Sequence, residues 1–252
     1  MSYVRLGAVN TWYDVHGDGE PLILLHGGLS DSRTFDPAIS LFTKHFRVYT
    51  VDRRGHGRTG DVEGPFGYEL MADETIAFLE QVVEGPAHLV GYSDGANTAL
   101  LVALRRPDLV RKLVSVSGNF HHDGLVPGTL DLGDEVLAYF APQYGAVSPD
   151  GEDHFPVVFR KGLEMATTQP ELSARDLSGI SARTLVLAAD DDMITLEHTI
   201  ELYRSIPDSE LAIVPGTSHT VLLEKSAQAY GTIIDFLTCE PVPTMVPVRR
   251  AR

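Results

Sequence analysis

Residues 87–96 read Ala-His-Leu-Val-Gly-Tyr-Ser-Asp-Gly-Ala, and their order decides the fold class. AHLV is a short apolar run of the kind that lies inside a sheet buried on both faces. Residues 96–105 read as a helix. Between them stands Gly91-Tyr92-Ser93-Asp94-Gly95. A bare G-x-S-x-G is common by chance, and its position between a buried strand and a helix makes it specific. A nucleophilic serine has to stand proud of the sheet on a tight turn, where side chains at Gly91 and Gly95 would meet neighbouring backbone. The helix that follows aims its N-terminal amides at the place where an oxyanion would form.

Outward from this turn, further apolar runs read as strands: residues 21–25 (PLILL), 46–51 (FRVYTV), 112–116 (KLVSV), 184–188 (TLVLA) and 211–214 (LAIV). Such continuous Val/Ile/Leu runs suit a parallel sheet. Residues 3–16 alternate and predict an antiparallel hairpin at one edge. In residues 69–83 the apolar side chains Ala72, Ile76, Leu79 and Val83 mark one helix face. Strands alternating with helices indicate an α/β sheet covered on both sides.

The alternation breaks once. Residues 118–181 hold no buried strand, only two short helical stretches, 136–144 and 157–166, bearing Tyr139, Phe140, Tyr144, Phe159 and Met165. An insertion of this length reads as a lid with an apolar inner face, a second patch of core being the plainer alternative. The expected organisation is therefore a core made of 1–117 and 182–238, a helical cap at 118–181, and a disordered tail at 239–252. That tail (CEPVPTMVPVRRAR) is rich in proline and arginine.

Of the 252 residues, 43% are hydrophobic, enough to bury a core without metal or disulfide staples. The single cysteine, Cys239, has no partner in the chain. No basic-then-apolar leader opens the sequence and no spanning run of about 18 apolar residues occurs, so a cytoplasmic location is expected. The net charge of −15 disfavours nucleic acid and anionic membrane as partners and leaves a small-molecule substrate.

With these motifs assembled, the chain resembles the α/β-hydrolase superfamily over residues 3–237. LLHGG (24–28) resembles the His-Gly oxyanion loop, and VDRRGHGRT (51–59) the D-x-R-G-x-G-x-S/T turn. The Ser-Asp-Gly elbow is similar to that of biphenyl-hydrolase-like and valacyclovir-type esterases. The resemblance implies a mostly parallel eight-stranded sheet with helices on both faces and a small helical cap. It also implies the order nucleophile, acid, base. The acid belongs after TLVLAADDD, where Asp190, Asp191 and Asp192 compete; Asp192 fits the family spacing and Asp190 is the fallback. The base is His219, the one histidine of ten beyond the last strand. His16, His45, His88, His154 and His198 read as structural, and His26 as a shaper of the oxyanion loop.

The expected chemistry is acyl transfer to water: Ser93 attacks a carbonyl, His219 takes its proton, and Asp192 orients the imidazole. The backbone N–H groups of Gly28 and Asp94 would hold the oxyanion. The Asp94 carboxylate has two readings, a pocket anion that draws a cationic substrate group or a charge on the first turn of a helix. Serine rather than aspartate or cysteine at the elbow argues against dehalogenase, epoxide-hydrolase and dienelactone chemistry. A small or medium carboxylic ester, or a lactone or thioester, is the expected substrate. Carbon–carbon hydrolysis, perhydrolysis, cyanohydrin cleavage and non-catalytic ligand binding are the alternatives. No ligand-spaced His/Cys cluster or phosphate loop implies a metal or an organic cofactor.

Overall fold

Eight strands form one sheet in a computed structural model that describes residues 2–241 and 243–247. They are β1 (Ser2–Leu6), β2 (Val9–His16), β3 (Glu20–Leu25), β4 (Phe46–Val51), β5 (Ala87–Tyr92), β6 (Val110–Val116), β7 (Arg183–Asp191) and β8 (Ser209–Ser218). The spatial order is β1-β2-β4-β3-β5-β6-β7-β8. β1 and β2 form the antiparallel edge hairpin, turning at Gly7 with φ +57°. From β4 to β8 every neighbouring pair is parallel.

The helices are α1 (Asp36–Phe42), α2 (Tyr68–Phe78), α3 (Asp94–Arg105), α4 (Asp134–Gly145), α5 (Phe155–Thr168), α6 (Ala174–Leu177), α7 (Leu196–Ser205), α8 (Val221–Glu224) and α9 (Ser226–Thr238). Because side chains alternate along a strand, β3 sends Ile23 and Leu25 to one face, against α2 and α3. Leu22 and Leu24 go to the other, against α1 and α9. All four are fully buried, as a two-sided parallel sheet requires.

Two elements differ from the periodicity. The buried stripe of α2 centres on Met71, Thr75 and Phe78, while Ile76 is half-buried at its margin. Thr75 can occupy the core because its hydroxyl donates to the Met71 carbonyl (2.8 Å). After Phe78 the helix widens into a π turn, Leu79–Val83, closed by Glu84 at φ +59°. β8 runs on past Val214 through Ser218, with Ser218 paired to Asp191 beyond a register shift. This carries the chain on towards His219. In the 239–252 segment, residues 242 and 248–252 lie outside the described residues; Met245 and Val246 are exposed.

Between β6 and β7 the chain makes α4, α5 and α6 and no strand of the main sheet. The inner residues Tyr144, Phe155, Val158, Phe159 and Met165 pack into the same apolar cluster as one face of the sheet. Polar contacts tie the segment to the loop after β4. The buried Asp61 carboxylate accepts from Lys161 Nζ (2.7 and 2.8 Å), and His154 Nε2 lies 2.9 Å from it. Burial pushes the Asp61 carboxyl up, but Lys161 and His154 outweigh it and hold the group below its ordinary value.

Asp61→Asn is therefore expected to cost about 2–3 kcal/mol at neutral pH, since it leaves the Lys161 ammonium uncompensated. For a chain of this size that is a Tm loss of roughly 5–10 °C. A depressed folded-state pKa contributes its full stability above the unfolded value of about 4 and loses it as pH falls through the folded value. Calorimetry should thus show the two Tm values converging as pH falls below about 4. A gap that stays constant there would mean the carboxylate charge is not the anchor.

Candidate active site

The parallel register explains how distant residues meet. Leu25 of β3 lies opposite Gly91 of β5, so the residues three beyond each, Gly28 and Asp94, emerge side by side. β6, β7 and β8 end at the same edge, where open α/β sheets place their sites.

Ser93 sits between β5 and α3 at φ +52°, ψ −120°. A non-glycine residue in that region costs on the order of 1–3 kcal/mol. The surroundings hold it there: its N–H donates to the Val116 carbonyl (2.8 Å), and its carbonyl accepts from Ala96 and Asn97. A Cβ on Gly91 would lie 2.3 Å from the Gly95 carbonyl oxygen, and one on Gly95 would lie 2.1 Å from that of Leu25. The close approach read from the sequence at these two positions is present.

His219 Nε2 is 3.0 Å from Ser93 Oγ, and its Nδ1 is 2.6 Å from Asp192 Oδ1. The Asp192 side chain is fully buried. Its Oδ2 accepts from Ser117 Oγ (2.6 Å), and the Ile194 amide donates to Oδ1 (3.3 Å). Burial pushes this carboxyl up; the bonds from His219 and Ser117 and the proximity of His219 outweigh it and keep the group ionised below its ordinary value. The structure brings Asp192, not Asp190, to His219. Asp190 is exposed and accepts from the Thr217 amide (3.1 Å), stapling β7 to β8. Tyr92 braces the base from below, its hydroxyl donating to the His219 carbonyl (3.0 Å).

Asp94 is the first residue of α3, so its N–H has no intrahelical acceptor. Its half-buried carboxylate accepts from the Tyr68 hydroxyl (2.6 Å) through Oδ1, while Oδ2 lies 2.6 Å from where a Cβ on Gly28 would stand. His26 is buried, with Nδ1 2.7 Å from the Gly27 carbonyl and Nε2 accepting from the Arg53 amide (3.0 Å). Burial, with the Arg53 charge, holds its pKa well below the ordinary value. His198 is stacked on Phe120 and pushed down to about 4 by burial, a packed histidine far from Ser93 in role.

Ser93, Asp94 and His219 open into a cavity of about 740 Å³. Its apolar lining comes largely from the stretch between β6 and β7, with Leu132, Val136, Phe140, Phe159 and Leu163. Charge in the lining is confined to Asp31, Arg33 and Asp94 beside the two histidines His56 and His219. Arg33 is paired with Asp31 through two bonds (2.8 and 2.7 Å). Burial pushes His56 down to about 4, so it enters the cavity neutral.

Sequence reasoning did not pick out Ser117, Tyr92 or Tyr68. Ser117 stands one residue past β6, a position at the sheet's functional edge, and that placement is the signal that would have found it. Among the described residues, His121, His122 and Asp123 bring metal-ligating atoms within 4.8 Å of one another. None of them lines the cavity, and His121 Nδ1 already accepts from the Asp123 amide (3.2 Å).

Comparison with known proteins follows the same outline. Residues 22–230 match the model of the alpha/beta hydrolase family. The chain is 27% identical to a protein described as a carbamate hydrolase, RutD, of Agrobacterium fabrum, covering 89% of this chain and 97% of that one. It is 32% identical over 106 residues to (E)-2-((N-methylformamido)methylene)succinate hydrolase of Acinetobacter baylyi, covering 42% of this chain and 40% of that protein. In fold it is similar to the enol-lactonase of Burkholderia xenovorans, with a TM-score of 0.76, 19% identity, and 94% and 100% of the two chains covered. With a family match spanning residues 22–230, most of its length, the chain belongs to the alpha/beta hydrolase family.

Proposed function

We propose that this hydrolase cleaves a small or medium neutral carboxylic ester, or a lactone, through an acyl-enzyme on Ser93. The observation that carries this reading is the unbroken chain Asp192–His219–Ser93, with contacts of 2.6 and 3.0 Å, opening onto an apolar cavity. Ser93 Oγ attacks the carbonyl as His219 Nε2 takes its proton. Asp192 holds the proton on Nδ1 and stabilises the imidazolium. The amides of Gly28 and Asp94 receive the oxyanion; one such donor is worth about 2.7–4 kcal/mol of barrier. His219 then protonates the leaving alkoxide, and water repeats the sequence on the acyl-enzyme. The 118–181 segment acts as the cap that walls the site. The Asp94 carboxylate, already held by Tyr68, shapes the floor rather than capturing a cation.

The test is a rapid quench during turnover of p-nitrophenyl butyrate, followed by mass spectrometry of the peptide containing Ser93. A butyryl group on that peptide supports the reading. Turnover without it refutes the acyl-enzyme. Similarity to a carbamate hydrolase over most of the chain favours carbamates as a second class, and p-nitrophenyl carbamates in the same assay separate the two.

The lining sets a preference. Each methylene buried in an apolar pocket is worth about 0.8 kcal/mol, so kcat/KM should rise roughly 3–4-fold per carbon from acetate to butyrate. An acyl chain ending in a carboxylate meets Asp31 and Asp94 with Arg33 already paired, and should lose about tenfold or more against its neutral analogue. Steady-state kinetics on such a series decides it, and a flat response would contradict an apolar acyl site.

A further inference from the structure

Arg53 is 4% exposed, yet among the described residues its guanidinium meets no carboxylate at hydrogen-bond distance. Nη2 donates to the carbonyls of His26 (2.6 Å) and Gly27 (3.1 Å), Nη1 meets Met71 Sδ (3.1 Å), and Nε has no partner among the described residues. The anions that act on it, Asp94 and Glu74, do so from beyond bonding distance. Burying a guanidinium in this way is costly, and its contacts indicate what the cost sustains.

The Gly27 carbonyl accepts three donors: His26 Nδ1 (2.7 Å), Ser30 Oγ (3.1 Å) and Arg53 Nη2 (3.1 Å). The Arg53 amide, by donating to His26 Nε2, leaves the imidazole proton on Nδ1, where it can reach that carbonyl. The peptide so loaded is Gly27–Gly28, and its opposite end is the Gly28 N–H. Withdrawing electron density at the carbonyl oxygen makes the N–H of the same peptide a stronger donor, an effect of about 10–30% per bond. The neighbourhood needs such help. The Asp94 carboxylate packs against Gly28 and repels negative charge developing there.

We propose that Arg53 is a positioning residue for the oxyanion. It binds the carbonyl side of the Gly27–Gly28 peptide, aims and polarises the Gly28 N–H, and offsets the Asp94 carboxylate beside it. This rests on the acyl-enzyme reading of Ser93.

The experiment compares wild type, Arg53→Met and Arg53→Lys on p-nitrophenyl butyrate. It also measures inhibition by a trifluoromethyl ketone, which forms an anionic tetrahedral adduct, and by the matching methyl ketone, which stays neutral. Arg53→Met should lower kcat about 10–30-fold, less than the loss of a direct oxyanion donor, with KM within about twofold. The trifluoromethyl ketone Ki should rise by the same factor and the methyl ketone Ki should not. Arg53→Lys, which keeps the charge, should recover activity to within about threefold of wild type. Unchanged kcat in Arg53→Met, or KM and both Ki values moving with kcat, would overturn the proposal. If Arg53→Met does not fold, Ser30→Ala takes its place, removing one donor from the same carbonyl on a half-buried residue. Its kcat should fall about 2–3-fold with a matching trifluoromethyl ketone shift, and no change in either overturns the proposal. Ser93→Ala separates the two readings. Turnover surviving in Ser93→Ala refutes the acyl-enzyme itself, whereas turnover lost there but unaffected in Arg53→Met refutes only the role of Arg53.

Discussion

Ser93→Ala is expected to lower kcat on p-nitrophenyl butyrate by about a millionfold, the scale on which a Ser–His–Asp unit fails when its nucleophile is removed. Asp192→Asn should follow at about ten-thousandfold, and Asp190→Asn should stay within about twofold of wild type. The ranking comes from geometry. Asp192 is buried, 2.6 Å from His219 Nδ1, and fixed on its other oxygen by Ser117. An asparagine that turns its N–H to His219 would hold the imidazole in the wrong tautomer and leave it without the carboxylate charge. Asp190 is exposed and accepts from the backbone amides of Gly216 and Thr217 on β8, bonds that an asparagine oxygen can still accept. Circular dichroism confirms that each variant is folded, and kcat under saturating ester gives the comparison. A collapse in Asp190→Asn with Asp192→Asn spared would reverse the assignment of the acid.

Gly95→Ala should cost more than about 4 kcal/mol, the range reserved for severe steric or backbone faults. The added Cβ would lie 2.1 Å from the Leu25 carbonyl oxygen and 2.6 Å from that of His26. Both obstacles are backbone of β3 and the loop after it, so no side chain can rotate away. α3 would have to lift off the sheet, taking Ser93 and the Asp94 amide with it. Gly231→Ala, in α9 with nothing within 4 Å of the new atom, should instead gain about 0.5–1 kcal/mol from helix propensity. Urea denaturation of the two variants therefore predicts opposite shifts in midpoint. Equal, small shifts would show that the elbow has slack that the geometry denies.

The contrast between these two glycines also shows where the sequence was legible. The elbow was readable because its demands are local: an apolar strand, a turn too tight for side chains, and a helix start, all within residues 87–105. The hairpin and the inner strands were readable for the same reason, since burial on one or two faces writes period two or an unbroken apolar run into the chain. Local pattern was less exact where side chains solve their own problem. Thr75 hides its hydroxyl on Met71, which shifts the buried stripe of α2 away from Ile76. β8 also outruns its apolar residues because backbone pairing to Asp191 extends it.

Sequence alone pointed to an α/β sheet and the nucleophile turn at Ser93, because strand burial and tight turns depend on neighbours a few residues apart. Its motif order pointed to His219, and to Asp192 with Asp190 as fallback. Only the tertiary structure enlisted Ser117 to hold Asp192, seated Tyr68 on Asp94, and placed Arg53 behind the Gly28 peptide. These contacts join residues 26 to 75 positions apart, such as Arg53 with Gly27 and Ser117 with Asp192. They follow from the lateral order and register of parallel strands, and no local pattern encodes either.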